Sequence, residues 1–205
     1  MWLMRTRRGV TPLLLAAVVA GAVASASAPV PVAAARGAGV GVVDFYALSV
    51  LPPLLGVFPE QLAADDLAAL VARPSATPIP VIPRDAVRQA ESAMGWQRSD
   101  VLRFARLQDL AHALNADFLV VGWINRLDMD REGGSFHGDP GLFFITGYIT
   151  VTVQVFDPQQ ARIVSRVERS DSEVGTVRSF VAQRLIARAI EQTLPSILPI
   201  ISGTR

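Results

Sequence analysis

Among 205 residues the chain has no cysteine, no lysine, and only two histidines and two tyrosines. Without cysteine there is no disulfide, no thiol nucleophile, no thiolate-ligated zinc and no cysteine to carry an N-terminal lipid. The missing lysine leaves all 19 basic residues as arginine, which reads as a compositional bias of the source and not as a site. Charge of either sign is also missing in excess: the formal net charge is +1. A nucleic-acid partner, which calls for a basic stripe, is therefore not expected. Disorder is argued against by 51% hydrophobic and 18% charged residues. The length suits one domain with a proper core.

What is present begins with an address. "MWLMRTRRGVTPLLLAAVVAGAVASASA" places Arg5, Arg7 and Arg8 ahead of an apolar run from Leu13 to Val23, followed by small residues. This is the layout of a secretory signal peptide, and the run is too short for a membrane-spanning helix, which needs ~20 apolar residues. Cleavage after Ala26 is expected, with an uncleaved anchor as the alternative. Taking Arg5, Arg7 and Arg8 from the 19 arginines leaves 16 against 18 acids, a mature charge near −2. The expected organisation is a signal peptide over 1–26, a Pro- and Ala-rich leader over 27–38, and a single domain over 39–200. The mature chain is expected in the periplasm or secreted, with no stable membrane span.

Periodicity then sets the elements. "GVGVVDFYAL" (39–48) suits a buried strand, and Pro52-Pro53 mark a loop. From Pro59 a helix is predicted, with Ala63, Leu67, Leu70 and Val71 on one face. "TPIPVIP" (77–83) reads as a second strand at or near a sheet edge, because its prolines cannot donate to a ladder. Two helices follow: one ends at Gly95, and one runs from a capping Ser99 to Asn115 with Leu107, Leu110, Ala111 and Leu114 buried. The period then changes from 3.6 to 2. "DFLVVGWINRLDMD", "YITVTVQVF" and "ARIVSRVERSD" are strands, the second with Ile149, Val151, Val153 and Val155 on one side. A final helix carries Val177, Val181, Leu185 and Ala189 on one stripe, with Arg184, Arg188 and Glu191 opposite, and is ended by Pro195 and Pro199. The fold class is α/β (α+β): a single mixed sheet of about five strands with helices packed on it, in the order β-α-β-α-α-β-β-β-α.

Four stretches then carry a family likeness: "GVGVVDFYAL", "VIPRDAV", "LAHALNADFLVVGWI" and "VFDPQQARIVS", with Asp157 at the turn of the last. Together they resemble the domain shared by the N-terminal part of TolB, the curli secretion protein CsgG and the lipoprotein activators of penicillin-binding proteins, over roughly residues 39–194. The resemblance implies a non-catalytic module of the bacterial cell envelope, acting through contacts with an envelope protein; homo-oligomerisation stays open. It brings no catalytic residue and no cofactor. The absent cysteine departs from the lipoprotein members. The short mature chain leaves little room for the extra membrane-inserting hairpins of a curli-type pore, so "GLFFITGYITVTVQVF" is expected to be a sheet strand.

Candidate sites are few. "DMDREGGSFHGD" (128–139) spaces Asp128, Asp130, Glu132, Gly133 and Asp139 as a calcium-binding loop would. However, Asp139 replaces the bidentate Glu, Phe136 cannot supply the ninth ligand, and strands flank the segment where helices belong. A solvated loop between strands is expected, and no metal; a periplasmic ligand- or calcium-binding protein using this loop is the alternative. His112 and His137 have no acid and nucleophile around them in sequence, and Asp65-Asp66 read as a solvated face. Trp96 and Trp123 are assigned to core or rim packing. Leu51, Leu54, Leu55, Val57 and Phe58 form an apolar loop, the candidate partner-docking patch. No catalytic residue and no cofactor site is assigned.

Overall fold

The computed structural model describes residues 39–48, 56–73, 78–134 and 142–203. The signal-peptide and leader assignments lie outside them, as do Leu51, Leu54, Leu55, His137 and Asp139.

One sheet organises the rest. β1 (Gly39–Val42) and β2 (Tyr46–Ala47) both run parallel to β3 (Ala116–Gly134), which pairs antiparallel with β4 (Leu142–Asp157), itself antiparallel to β5 (Arg162–Gly175). The expected mixed sheet of five strands is present. Its first strand is interrupted: Val43, Asp44 and Phe45 leave the ladder between β1 and β2, and the buried Phe45 ring fills the space over Gly122. A Cβ at Gly122 would come within 2.6 Å of that ring.

The segment 77–83 forms less than a strand. Among the described residues there it makes a single parallel bridge, Val81 to Val40, flanked by the Val40 N–H donating to the Pro80 carbonyl at 2.8 Å and the Ile82 N–H donating to the Val40 carbonyl at 2.9 Å. Pro78, Pro80 and Pro83 have no N–H to donate, so pairing stops there. The edge position was correctly expected; β2 supplies the fifth strand.

Helices cover the two faces unequally. α1 (Pro59–Val71), α4 (Arg178–Glu191) and α5 (Leu194–Ile201) pack on one face, where Ala63, Leu67, Leu185, Ile186, Ile190 and Ile197 close a core with Val120, Ile124 and the alternate β4 residues Ile149, Val151, Val153 and Val155. On the other face, α3 (Phe104–Leu114), with α2 (Arg84–Ala93) beside it, covers only the end of the sheet around Leu119, Val121 and Phe156. A 3-10 turn over Arg98–Leu102 leads into α3. Its cap is a reciprocal pair between Gln97 and Asp100, not Ser99, and Asn115 ends α3 in the left-handed region at φ 49°.

Pro195 does not end the chain's last helix. It starts a new one, α5, at a position where its missing N–H costs nothing. The opposite stripe of α4 is also not merely solvated: Arg184 pairs with Glu173 at 3.1 Å, and Arg188 with Asp171 at 2.8 Å and Glu173 at 2.7 Å, fastening the helix to β5. Among the described residues no helix is long and apolar enough to cross a membrane.

Candidate functional site

The acidic stretch comes first. β3 continues through it, with Asp128 opposite Tyr148, Asp130 opposite Thr146 and Gly134 opposite Leu142. What sequence reads as a loop from 128 is therefore ladder as far as 134. Alternate strand residues lie ~7 Å apart along the strand, whereas calcium draws its oxygens to within ~2.5 Å of one point. Asp128 is instead paired with Arg126. His112 is exposed on α3, its Nε2 3.1 Å from Gln108 Nε2, beside a shallow cavity of ≈ 230 Å³ that also touches Asp117 but no serine. Trp96 and Trp123 are half-buried, as expected for the rim.

The apolar docking patch can be followed only at its margins. Leu48 before it is 59% exposed, and Val57 and Phe58 at its end are 41% and 39% exposed. Phe58 stands at the N-cap of α1 with no side-chain cap bond, and the guanidinium of Arg98 lies 5.8 Å from its ring centre.

Behind Phe58 the fold builds a charged cleft of ≈ 310 Å³ that sequence spacing did not reveal. It lies beyond the carboxyl end of β1, the position where open α/β sheets most often receive ligands. Its walls come from four places. Asp44 and Phe45 stand at the break in the first strand, Phe58 to Gln61 in the opening of α1, Arg88 to Trp96 at the end of α2, and Arg98 in the 3-10 turn. Arg84, Arg88 and Glu91 share one face of α2 by helical spacing. Arg84 binds Asp44 and the Val42 carbonyl, and its Nε donates to Asp65 Oδ1 at 3.0 Å. Arg88 donates to both oxygens of Asp65, at 2.8 and 3.0 Å. Asp65 thus anchors two arginines and is not a solvated face; the guanidinium groups of α2 tie α1 to the β1 end.

Two carboxylates in this cleft are left over. Glu60 is 3% exposed; its Oε1 accepts from Arg98 at 3.3 Å, but its Oε2 has no partner. Glu91 is 8% exposed and its Oε1 has no partner either. Burial, and then the negative charge of Asp44, push the Glu91 carboxyl up from 4.5 to about 7. Arg88 Nε, also buried, makes no hydrogen bond and lies 3.8 Å from Asp44 Oδ1. Among the described lining residues Ser92 supplies the one hydroxyl, and the arrangement offers acceptors and charge for binding.

A second surface also went unread. Phe143, Phe144, Tyr148, Val174, Val177 and Phe180 are exposed at the end of the sheet away from α3. Arg131 lies 3.7 Å over the Phe143 ring and Arg126 6.0 Å over Tyr148, so part of this surface is already covered by guanidinium groups. Alternation marks these residues as strand, but nothing in it says where the helices stop.

Solved structures similar to the chain include lipoproteins. A lipoprotein of Neisseria meningitidis is 13% identical, covering 78% of this chain and 100% of its own, with a TM-score of 0.49. The LpoB C-terminal domain of Salmonella enterica is 12% identical over 66% of this chain and 82% of its own, at 0.40. A hypothetical protein of Chlamydia trachomatis is 14% identical over 78% and 98%, at 0.48. No protein-family model and no curated protein matches the chain.

Proposed function

We propose that this is an exported, non-enzymatic interaction module of the bacterial cell envelope, of the TolB N-terminal, CsgG and penicillin-binding-protein-activator type. It binds a protein partner through the loop between β2 and α1. One observation supports this above the others: both described margins of that loop turn apolar side chains to solvent, Leu48 on one side and Val57 and Phe58 on the other. Leu51, Leu54 and Leu55 lie between them in sequence. Burying a Phe- or Leu-sized side chain against a partner contributes ~1.5–3 kcal/mol, enough for a few such residues to dominate an interface. The export half of the proposal rests on the N-terminal sequence pattern.

The test places a photo-crosslinking residue at Val57 in intact source cells, with the exposed Arg73 as control. An envelope protein captured from position 57 and not from 73 is the expected result; only uncrosslinked monomer, at normal expression, refutes the docking loop. Phe58→Ser separates docking from folding. The new hydroxyl sits at the N-cap of α1, where serine is favoured, so the melting temperature should hold while capture is lost.

A further inference from the structure

The charged cleft goes beyond partner docking. We propose that it is a binding site for an alkylammonium group, a protonated primary amine at the end of a short apolar chain, held between Glu60 Oε2 and Glu91 Oε1.

Four observations lead there. First, Glu60 and Glu91 are each more than nine-tenths buried, line the same cleft, and keep one oxygen without any donor. A buried acceptor left unpaired is costly, and an incoming donor recovers that loss. Second, the charges around Glu91 are already committed. Arg84 is spent on Asp44 and Asp65, Arg88 on Asp65, and Arg98 on Glu60 Oε1, while Asp44 adds a further negative charge. No cation lies within salt-bridge distance of Glu91 among the described residues, so a positive group is what the cleft lacks. Third, an ammonium carries three donors on a compact centre, which suits two separate acceptors with Ser92 nearby, whereas a planar guanidinium suits one carboxylate face-on. The rings of Phe45, Phe58 and Trp96 line the same cleft and accommodate the apolar chain behind the charge. Fourth, the chain has no lysine, so no side chain of its own can supply the group.

The raised Glu91 carboxyl gives the site a pH signature. The groups facing it are Asp44 from the end of β1, Glu60 from α1, Arg84 and Arg88 from α2 and Arg98 from the 3-10 turn. At acid pH a proton occupies Glu91; the ammonium must replace it. Binding should therefore be roughly 30-fold tighter at pH 8 than at pH 5.5, set by the fraction of Glu91 ionised around about 7.

The probe is Nα-acetyl-lysine methylamide, titrated into the full exported chain and followed by the indole N–H resonance of Trp96. Its Nε-acetylated form, with the same chain and no charge, is the control. The expected result is saturable binding of the amine at pH 8, at least tenfold tighter than the control. Glu91→Gln and Glu60→Gln should each weaken it at least tenfold, and Glu91→Gln should also abolish the pH dependence. Because Glu91→Gln removes a buried charge, it should fold at least as well as the parent, so its failure to bind is interpretable. Free lysine separates the two sources of such a group. Tighter binding of free lysine marks a small-molecule ligand, and tighter binding of the amide marks a lysine on a polypeptide. Equal affinity for amine and acetylated control at pH 8 overturns the proposal, and leaves the docking loop standing or falling on its own crosslinks.

Discussion

Glu91 ties the stability of the whole fold to pH. Its carboxyl is pushed up from 4.5 to about 7, first by burial and then by Asp44. In the unfolded chain it ionises at its ordinary value. Between the two values the folded protein therefore holds a proton that the unfolded chain has lost, and stability falls as pH rises. The contribution is fully present below about 4.5 and is gone once the pH has climbed past about 7. The gap corresponds to about 3 kcal/mol, of which about 2.5 kcal/mol lies between pH 5 and pH 8. Glu91→Gln keeps the shape and cannot titrate. At pH 5 the two proteins should be nearly equally stable, and at pH 8 the variant should exceed the parent by about 2.5 kcal/mol. Urea denaturation at both pH values measures this, with unchanged m-values as the check that the unfolded states match. Other carboxyls titrate as well. Asp66, raised by burial and then by Asp65, acts in the same direction; Asp100, lowered chiefly by the Gln97 backbone N–H, acts in the opposite one. Both remain in the variant, so the difference between the proteins isolates Glu91. A stability difference that is the same at pH 5 and pH 8 refutes the reasoning.

Gly147→Ala should destabilise by about 1–3 kcal/mol, read as a lower melting temperature. Its Cβ would sit 2.6 Å from Leu185 Cδ1, 2.8 Å from Val181 Cγ1 and 2.9 Å from Met129 Sδ, so all three side chains would have to shift. Asp100→Asn should cost about 1–3 kcal/mol near neutral pH, because the carboxylate accepts from the Gln97 N–H and from Arg106 Nε, each at 3.1 Å. That loss should shrink as pH falls and the parent's own Asp100 takes a proton; chemical denaturation across the acid range follows it. Arg84→Met removes the cation shared by Asp44 and Asp65 and should cost about 3 kcal/mol. Asp65→Asn in the same chain should recover part of it, and a double-mutant cycle gives the coupling.

The sheet and its helices were legible where one face is dry. The alternation of Ile149, Val151, Val153 and Val155 placed β4, and Leu107, Leu110 and Ala111 placed α3, because burial on one side leaves a period in the sequence. Elements without that contrast were misjudged. β3 runs on through Asp128 and Asp130, where the face that α3 covers elsewhere has lost its helices and polar side chains suit a solvated ladder as well as a loop. The prolines near 80 and 195 gave correct local chemistry but the wrong extent: they shortened a strand to a bridge and began a helix instead of ending one. The cleft was not legible at all. Asp44, Glu60, Glu91 and Arg98 come from four elements, and only the packing of α1 and α2 around the end of β1 brings them together. The one available hint was Arg84, Arg88 and Glu91 on a single helical face, a pattern that an exposed helix shows equally often.

The order in which the chain is made meets an obstacle in this core. Val40, Val42, Ala63 and Leu67, from the first third of the domain, share one cluster with Leu185, Ile190 and Ile197 from its last helices. A polypeptide emerging from its N-terminus lacks α4, the main neighbour of α1, until the end of the domain has been synthesised. Up to that moment α1 is only partly covered, and the face of the three long strands that α4 and α5 close stays bare. Native closure therefore waits on contacts far apart in sequence, which form slowly. The unfinished chain stays open enough to be threaded through a narrow passage, and vulnerable to proteolysis if its last thirty or so residues are delayed.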